Sequence, residues 1–174
     1  VDTGTLASDL ERARVEFHRL LDEAARTNAW SAPTRGTRWT NEQLLFHMVF
    51  GYLVTQRLLV LVRLLGRLPD PVSRIFAGTL NAASRPFHVV NYYGSCAAAL
   101  VYNRRRMGPK FDRVIASLQR GLARESDGDL RRGMYYPTRW DPFFSVYMTL
   151  EDTYRYPGLH FDFHRDQLAL SPFS

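Results

Sequence analysis

Residues 40–65, TNEQLLFHMVFGYLVTQRLLVLVRLL, decide how the rest of the chain is read. Thr40 followed three positions later by Gln43 is a capping-box signature, in which a hydroxyl and an amide satisfy the first free N–H groups of a helix. Beyond it Leu44, His47, Gly51, Val54, Leu58, Leu61 and Leu65 recur at alternating steps of three and four, the period of one helix face. Leu45, Met48, Tyr52, Thr55, Leu59 and Val62 form a second stripe on the neighbouring face. A helix apolar on two faces is either the centre of a helical domain or part of a dimer interface. The stretch predicts a long helix ending near Leu65 and an all-α fold built around it.

Upstream, Leu6, Leu10, Ala13, Phe17, Leu20 and Ala24 give residues 5–27 an amphipathic helix, with Thr5 as N-cap. Downstream the pattern weakens. Pro69, Pro71 and Pro86 punctuate residues 66–94, which read as a long crossover with one short helix in VSRIFAGTLNAA. Helix is expected again from about Ser95, interrupted at Gly108-Pro109, after which Phe111, Val114, Ile115, Leu118 and Leu122 carry a stripe to about Arg124. Residues 125–148, rich in glycine, proline and aromatics, read as a long ordered loop. Thr149 and Asp152 resemble a capping pair, and a kinked but continuous helix over residues 150–169 follows despite Pro157. The four long helices and the crossover make one domain over residues 1–174.

The last helix carries the chemistry. In GLHFDFHRDQL, residues 158–168, His160 and His164 stand four apart and so project from one face about one turn apart. Two imidazoles so placed can close on one ion if a facing helix supplies a third, and His47 on its inward seam can do so. The alternative is a polar helix face with no ion. Three neutral imidazoles would leave a divalent ion its full charge and an open position, the arrangement of a Lewis acid; zinc, nickel and iron all suit such ligands. Gln167, three residues after His164, could bond to a ligand imidazole. Tyr156, four before His160, is the candidate catalytic proton donor or substrate-orienting group. The metallopeptidase motif H-E-x-x-H is absent, because Phe161 follows His160. His18 and His88 lie off these patterns, and Cys96 reads as a small buried residue.

Composition bounds the remaining classes. With 45% hydrophobic and 23% charged residues the chain is ordinary globular protein. One cysteine excludes an intrachain disulfide, and with no secretory-type N-terminus this favours a cytoplasmic setting. The longest apolar run, Leu58 to Leu65, is short and interrupted by Arg63, so no membrane partner is expected. The net charge is +6, with Arg104-Arg105-Arg106 and Arg131-Arg132 the densest basic runs. Scattered arginines of this kind favour a solvated basic surface over a nucleic-acid face. The aromatics Tyr135, Tyr136, Trp140, Phe143 and Phe144 precede the histidine helix and could wall a substrate pocket beside it.

Taken together, GTRWTNEQLLFHMVFGY (residues 36–52), a long crossover and YPGLHFDFHRDQL (residues 156–168) resemble the DinB/YfiT-like family. The resemblance implies a four-helix bundle of up-down-down-up connectivity, usually dimeric, with a divalent metal on His47, His160 and His164. It also implies a thiol-dependent transferase or isomerase acting on a small electrophilic substrate. An arginine-rich composition points among the family's thiols to mycothiol, with another low-molecular-weight thiol as the alternative cofactor. A non-catalytic helical dimer, serving stress response or binding, is the competing function.

Overall fold

The computed structural model describes residues 2–170. Four helices follow the apolar stripes of the sequence: α1 (Thr3–Thr27), α2 (Asn41–Leu65), α5 (Met107–Leu122) and α7 (Leu150–Arg165). Between them lie α3 (Asp70–Ala82), α4 (Ser84–Val101), the single turn α6 (Asp127–Leu130) and two short strands, β1 (Gly133–Tyr135) and β2 (Tyr147–Thr149). The caps of α2 and α7 are those expected: Thr40 with Gln43, and Thr149 with Asp152, each form a reciprocal capping box. At α1 the cap is Asp2 and not Thr5, because a carboxylate one turn earlier accepts from Gly4 N and Thr5 N.

Each of four helices contributes one ring to the centre. Phe17 of α1, Tyr52 of α2, Phe111 of α5 and Phe161 of α7 are all but fully buried. The Phe17 and Phe111 centroids stand 4.6 Å apart, and those of Tyr52 and Phe111 4.9 Å apart. Helix α1 packs on α5 and α7, while α2 packs on α4, α5 and α7. Asn41, fully buried at the start of α2, ties the ends together. Its amide donates to Ala29 O and Ala169 O, and its carbonyl accepts from Ala169 N.

Four further expectations need correction. The crossover holds two helices, not one short one: α3 packs on β1 and α4 lies along α2. Pro71, Pro86 and Pro109 each fall in the first turn of a helix, where no N–H partner is needed, so they begin helices instead of breaking them. The real break after α4 is at residues 102–106. The expected loop of residues 125–148 contains α6 and an antiparallel pair in which Gly133 faces Thr149 and Tyr135 faces Tyr147. Helix α7 runs unbroken through Pro157, as expected, but ends at Arg165, short of 169.

The two stripes of α2 also divide the labour differently. Leu45, Met48, Tyr52, Thr55, Leu59 and Val62 are buried in the core, while Val54, Leu58 and Leu61 of the His47 stripe line a cavity. By length and hydropathy α2 could cross a membrane; in the structure it is a core helix flanked by three others.

Candidate metal centre

Helices α2 and α7 make the most extensive contact in the molecule, and the three histidines sit on that seam. His47, His160 and His164 are buried, and each offers a ring nitrogen lying within 4.8 Å of the others'. Ring centroids are 5.0 Å apart for His47 and His160, 4.9 Å for His47 and His164, and 4.4 Å for His160 and His164. The spacing expected from the i, i+4 pair and the facing helix is thus what the fold brings together.

Neighbours hold two of the rings from behind. His164 Nδ1 lies 2.7 Å from Gln167 Oε1, and a proton donated there leaves Nε2 with its lone pair. His47 Nδ1 lies 3.1 Å from Ser95 Oγ, a buried hydroxyl of α4, with the same consequence. Trp39 stacks on His47 at 4.3 Å between centroids, which gives the tryptophan before the Thr40 cap a role in seating the ring. His160 is placed by an absence: a Cβ on Gly51 would stand 2.7 Å from its Nδ1, so only glycine lets the ring lie against the α2 backbone.

The donor set fits a divalent ion. Burial pulls His47 down to about 3, with His164 adding to the effect, and pulls His160 well below the ordinary histidine range. His164 is also lowered by burial, opposed in part by its bond to Gln167. All three rings are therefore neutral at pH 7, the form that ligates. His160 Nδ1 is buried without a hydrogen-bond partner among the described residues, the kind of atom that a folded interior pairs with something. Three imidazoles suit zinc, nickel or iron and do not choose among them.

Tyr156 and Asp141 extend the site. Tyr156 Oη donates to Asp141 Oδ2 at 2.9 Å, and that same oxygen lies 4.0 Å from His160 Nε2. Burial first, and the neighbouring Asp141 charge second, hold Tyr156 well above the usual phenol range, so its proton stays on. Beyond them opens a cavity of about 420 Å³. Trp140, Phe143 and Phe144 line it, as their position before α7 suggests. Tyr136 instead bonds Thr153 within the core, and Tyr135 lies under the Arg74 guanidinium.

Sequence reading missed Ser95 and Asp141. The burial of Ser95 and Ala99, four apart on α4, is a small-residue face that signals close helix approach; nothing local marks Asp141. His88, set aside earlier, also lines the cavity, with Nε2 3.1 Å from Arg139 O. His18 pairs with Asp112 of α5, and Cys96 is half-buried, not buried. Compared with protein-family models, with curated proteins and with solved structures, the chain matches none, so the centre stands on its own residues.

Proposed function

We propose that this chain is a metal-dependent enzyme, a thiol S-transferase of the DinB/YfiT-like kind, with its divalent ion on His47, His160 and His164. The observation that carries the reading is three buried, neutral imidazoles converging from two helices beside an apolar cavity. An ion bound there would supply Lewis acidity and hold the thiol of mycothiol, or of another low-molecular-weight cofactor, in its deprotonated form. Ser95 and Gln167 fix the orientation of two ligand rings. Tyr156 keeps its proton and donates it in a hydrogen bond to Asp141 Oδ2, which orients that carboxylate at the cavity wall, and the surrounding aromatic side chains exclude water.

The same reading makes the fold an up-down-down-up four-helix bundle of α1, α2, α5 and α7, supported by their mutual packing and their shared ring cluster. It makes the protein a cytoplasmic homodimer. Support for self-association comes from the outer face of α4, where Val90, Tyr93 and Leu100 are exposed.

Elemental mass spectrometry tests the centre directly, on untagged wild type beside His160→Ala and His164→Ala after exposure to zinc, nickel and iron. Stoichiometric metal in the wild type and its loss in both variants is the expected result. A wild type that takes up no ion would end the reading. Thiol transfer that survives His47→Ala would end the enzymatic part, leaving a non-catalytic helical dimer whose histidines are structural.

A further inference from the structure

The cavity beside the three histidines is walled mainly by carbon. Val54, Leu58 and Leu61 of α2 face Phe76 and Leu80 of α3, and Trp140 lies across them. Among the described residues no lysine or arginine lines it, although the chain carries 23. Five arginines gather elsewhere, around a separate cleft formed by Arg63, Arg67, Arg120, Arg124 and Arg132. The carboxylate at the cavity, Asp141, repels an anion. A substrate carboxylate or phosphate would lose its hydration there and meet no protein cation, whereas a neutral apolar body gains from covering the wall.

Two polar atoms define the head of such a molecule. Trp39 and Asn91 both line the cavity, and Trp39 Nε1 and Asn91 Oδ1 are buried with no hydrogen-bond partner among the described residues. An indole N–H can only donate, and an amide Oδ1 can only accept. Both belong to the His47 side of the centre: Trp39 stacks on His47, and Asn91 precedes by one turn the Ser95 that bonds it. An occupant reaching both must carry an acceptor and a donor.

We propose that this cavity binds a neutral, apolar small molecule whose head group both accepts and donates a hydrogen bond, in the manner of a carboxamide. Calling it the substrate rests on the enzymatic reading above; its binding does not. The acceptor meets Trp39 Nε1–H, the donor meets Asn91 Oδ1, and the ring or chain behind them covers the α2 and α3 wall.

Calorimetric titration of the full chain with 2-naphthamide, 2-acetonaphthone and 2-naphthoate tests this, because the three share one ring system. The first accepts and donates, the second only accepts, and the third is an anion. On chelator-treated protein the expected order is amide, then ketone about five- to tenfold weaker, then carboxylate weakest. Trp39→Phe should weaken amide and ketone alike by a similar factor. Asn91→Leu should erase the difference between them. The proposal is overturned if naphthamide does not bind, if naphthoate binds the chelator-treated chain as tightly, or if amide and ketone bind equally to the wild type. The wild-type order alone decides the matter should a variant fail to fold. The expected order in a chain that takes up no metal would leave the cavity assignment standing and remove only the metal-dependent reading.

Discussion

One missing methyl group sets the geometry of the centre. Gly51 lies mid-helix, where alanine would ordinarily add about 1 kcal/mol of stability. Here the added Cβ would press on His160 Nδ1 from 2.7 Å, an overpacking that costs about 1–3 kcal/mol. Gly51→Ala should therefore leave the fold largely intact and displace the ring, with metal affinity at least about tenfold weaker in competition with a chromophoric chelator. Unchanged affinity would show that the ring has another seat. Gln167→Leu removes the acceptor behind His164 and keeps the helix end, and should weaken the metal by about 10–100-fold in the same titration. At this scale His47, His160, His164 and Gln167 were legible, because each stands at a helical spacing from another marked residue. Ser95 and Asp141 were not, because each reaches the site from a different segment.

Helix α7 carries two of the three candidate ligands, and its start depends on one hydroxyl. Thr149 Oγ1 accepts from Asp152 N while the Asp152 carboxylate accepts from Thr149 N. Thr149→Ala should lower stability by about 1–2 kcal/mol, read as a lower urea midpoint with unchanged slope. A shift no larger than that of Ser126→Ala, which removes the capping box of the single turn α6, would mean that the α7 cap contributes no more than the cap of a surface turn. Local signals marked α1, α2 and α7 to within a few residues, because caps and periodic stripes act over one or two turns. The same logic finds the helix at 72–83 that is the body of α3, but fails at α4 and at the start of α5, where Pro86 and Pro109 read as punctuation although each stands in a first turn.

Across the whole molecule, the buried histidines link stability to pH. An unfolded chain titrates these rings near 6.5, whereas burial holds His47 at about 3 and His160 well below its ordinary value. As pH falls below about 6.5 the unfolded state takes up protons that the folded state refuses, so stability falls with pH and is restored above it. Chelator-treated protein should melt at a steadily lower temperature from about pH 7 to pH 5, and bound metal should raise the melting temperature most at the upper end, where protons compete least. A melting temperature independent of pH over that window would mean that the rings are hydrated in solution.

The sequence by itself determined the all-α class, the capping boxes that open α2 and α7, and the one-turn spacing of His160 and His164. These follow from interactions between residues close in the chain. Only the tertiary structure decided that the His47 stripe of α2 faces a cavity while its neighbour fills the core. It alone brought Ser95 behind His47, Asp141 toward His160, and Trp39 and Asn91 to the cavity wall. Two apolar stripes on one helix are equivalent until partners are chosen. That choice is made by the summed burial of Phe17, Tyr52, Phe111 and Phe161 with the rest of the core, which no single segment encodes.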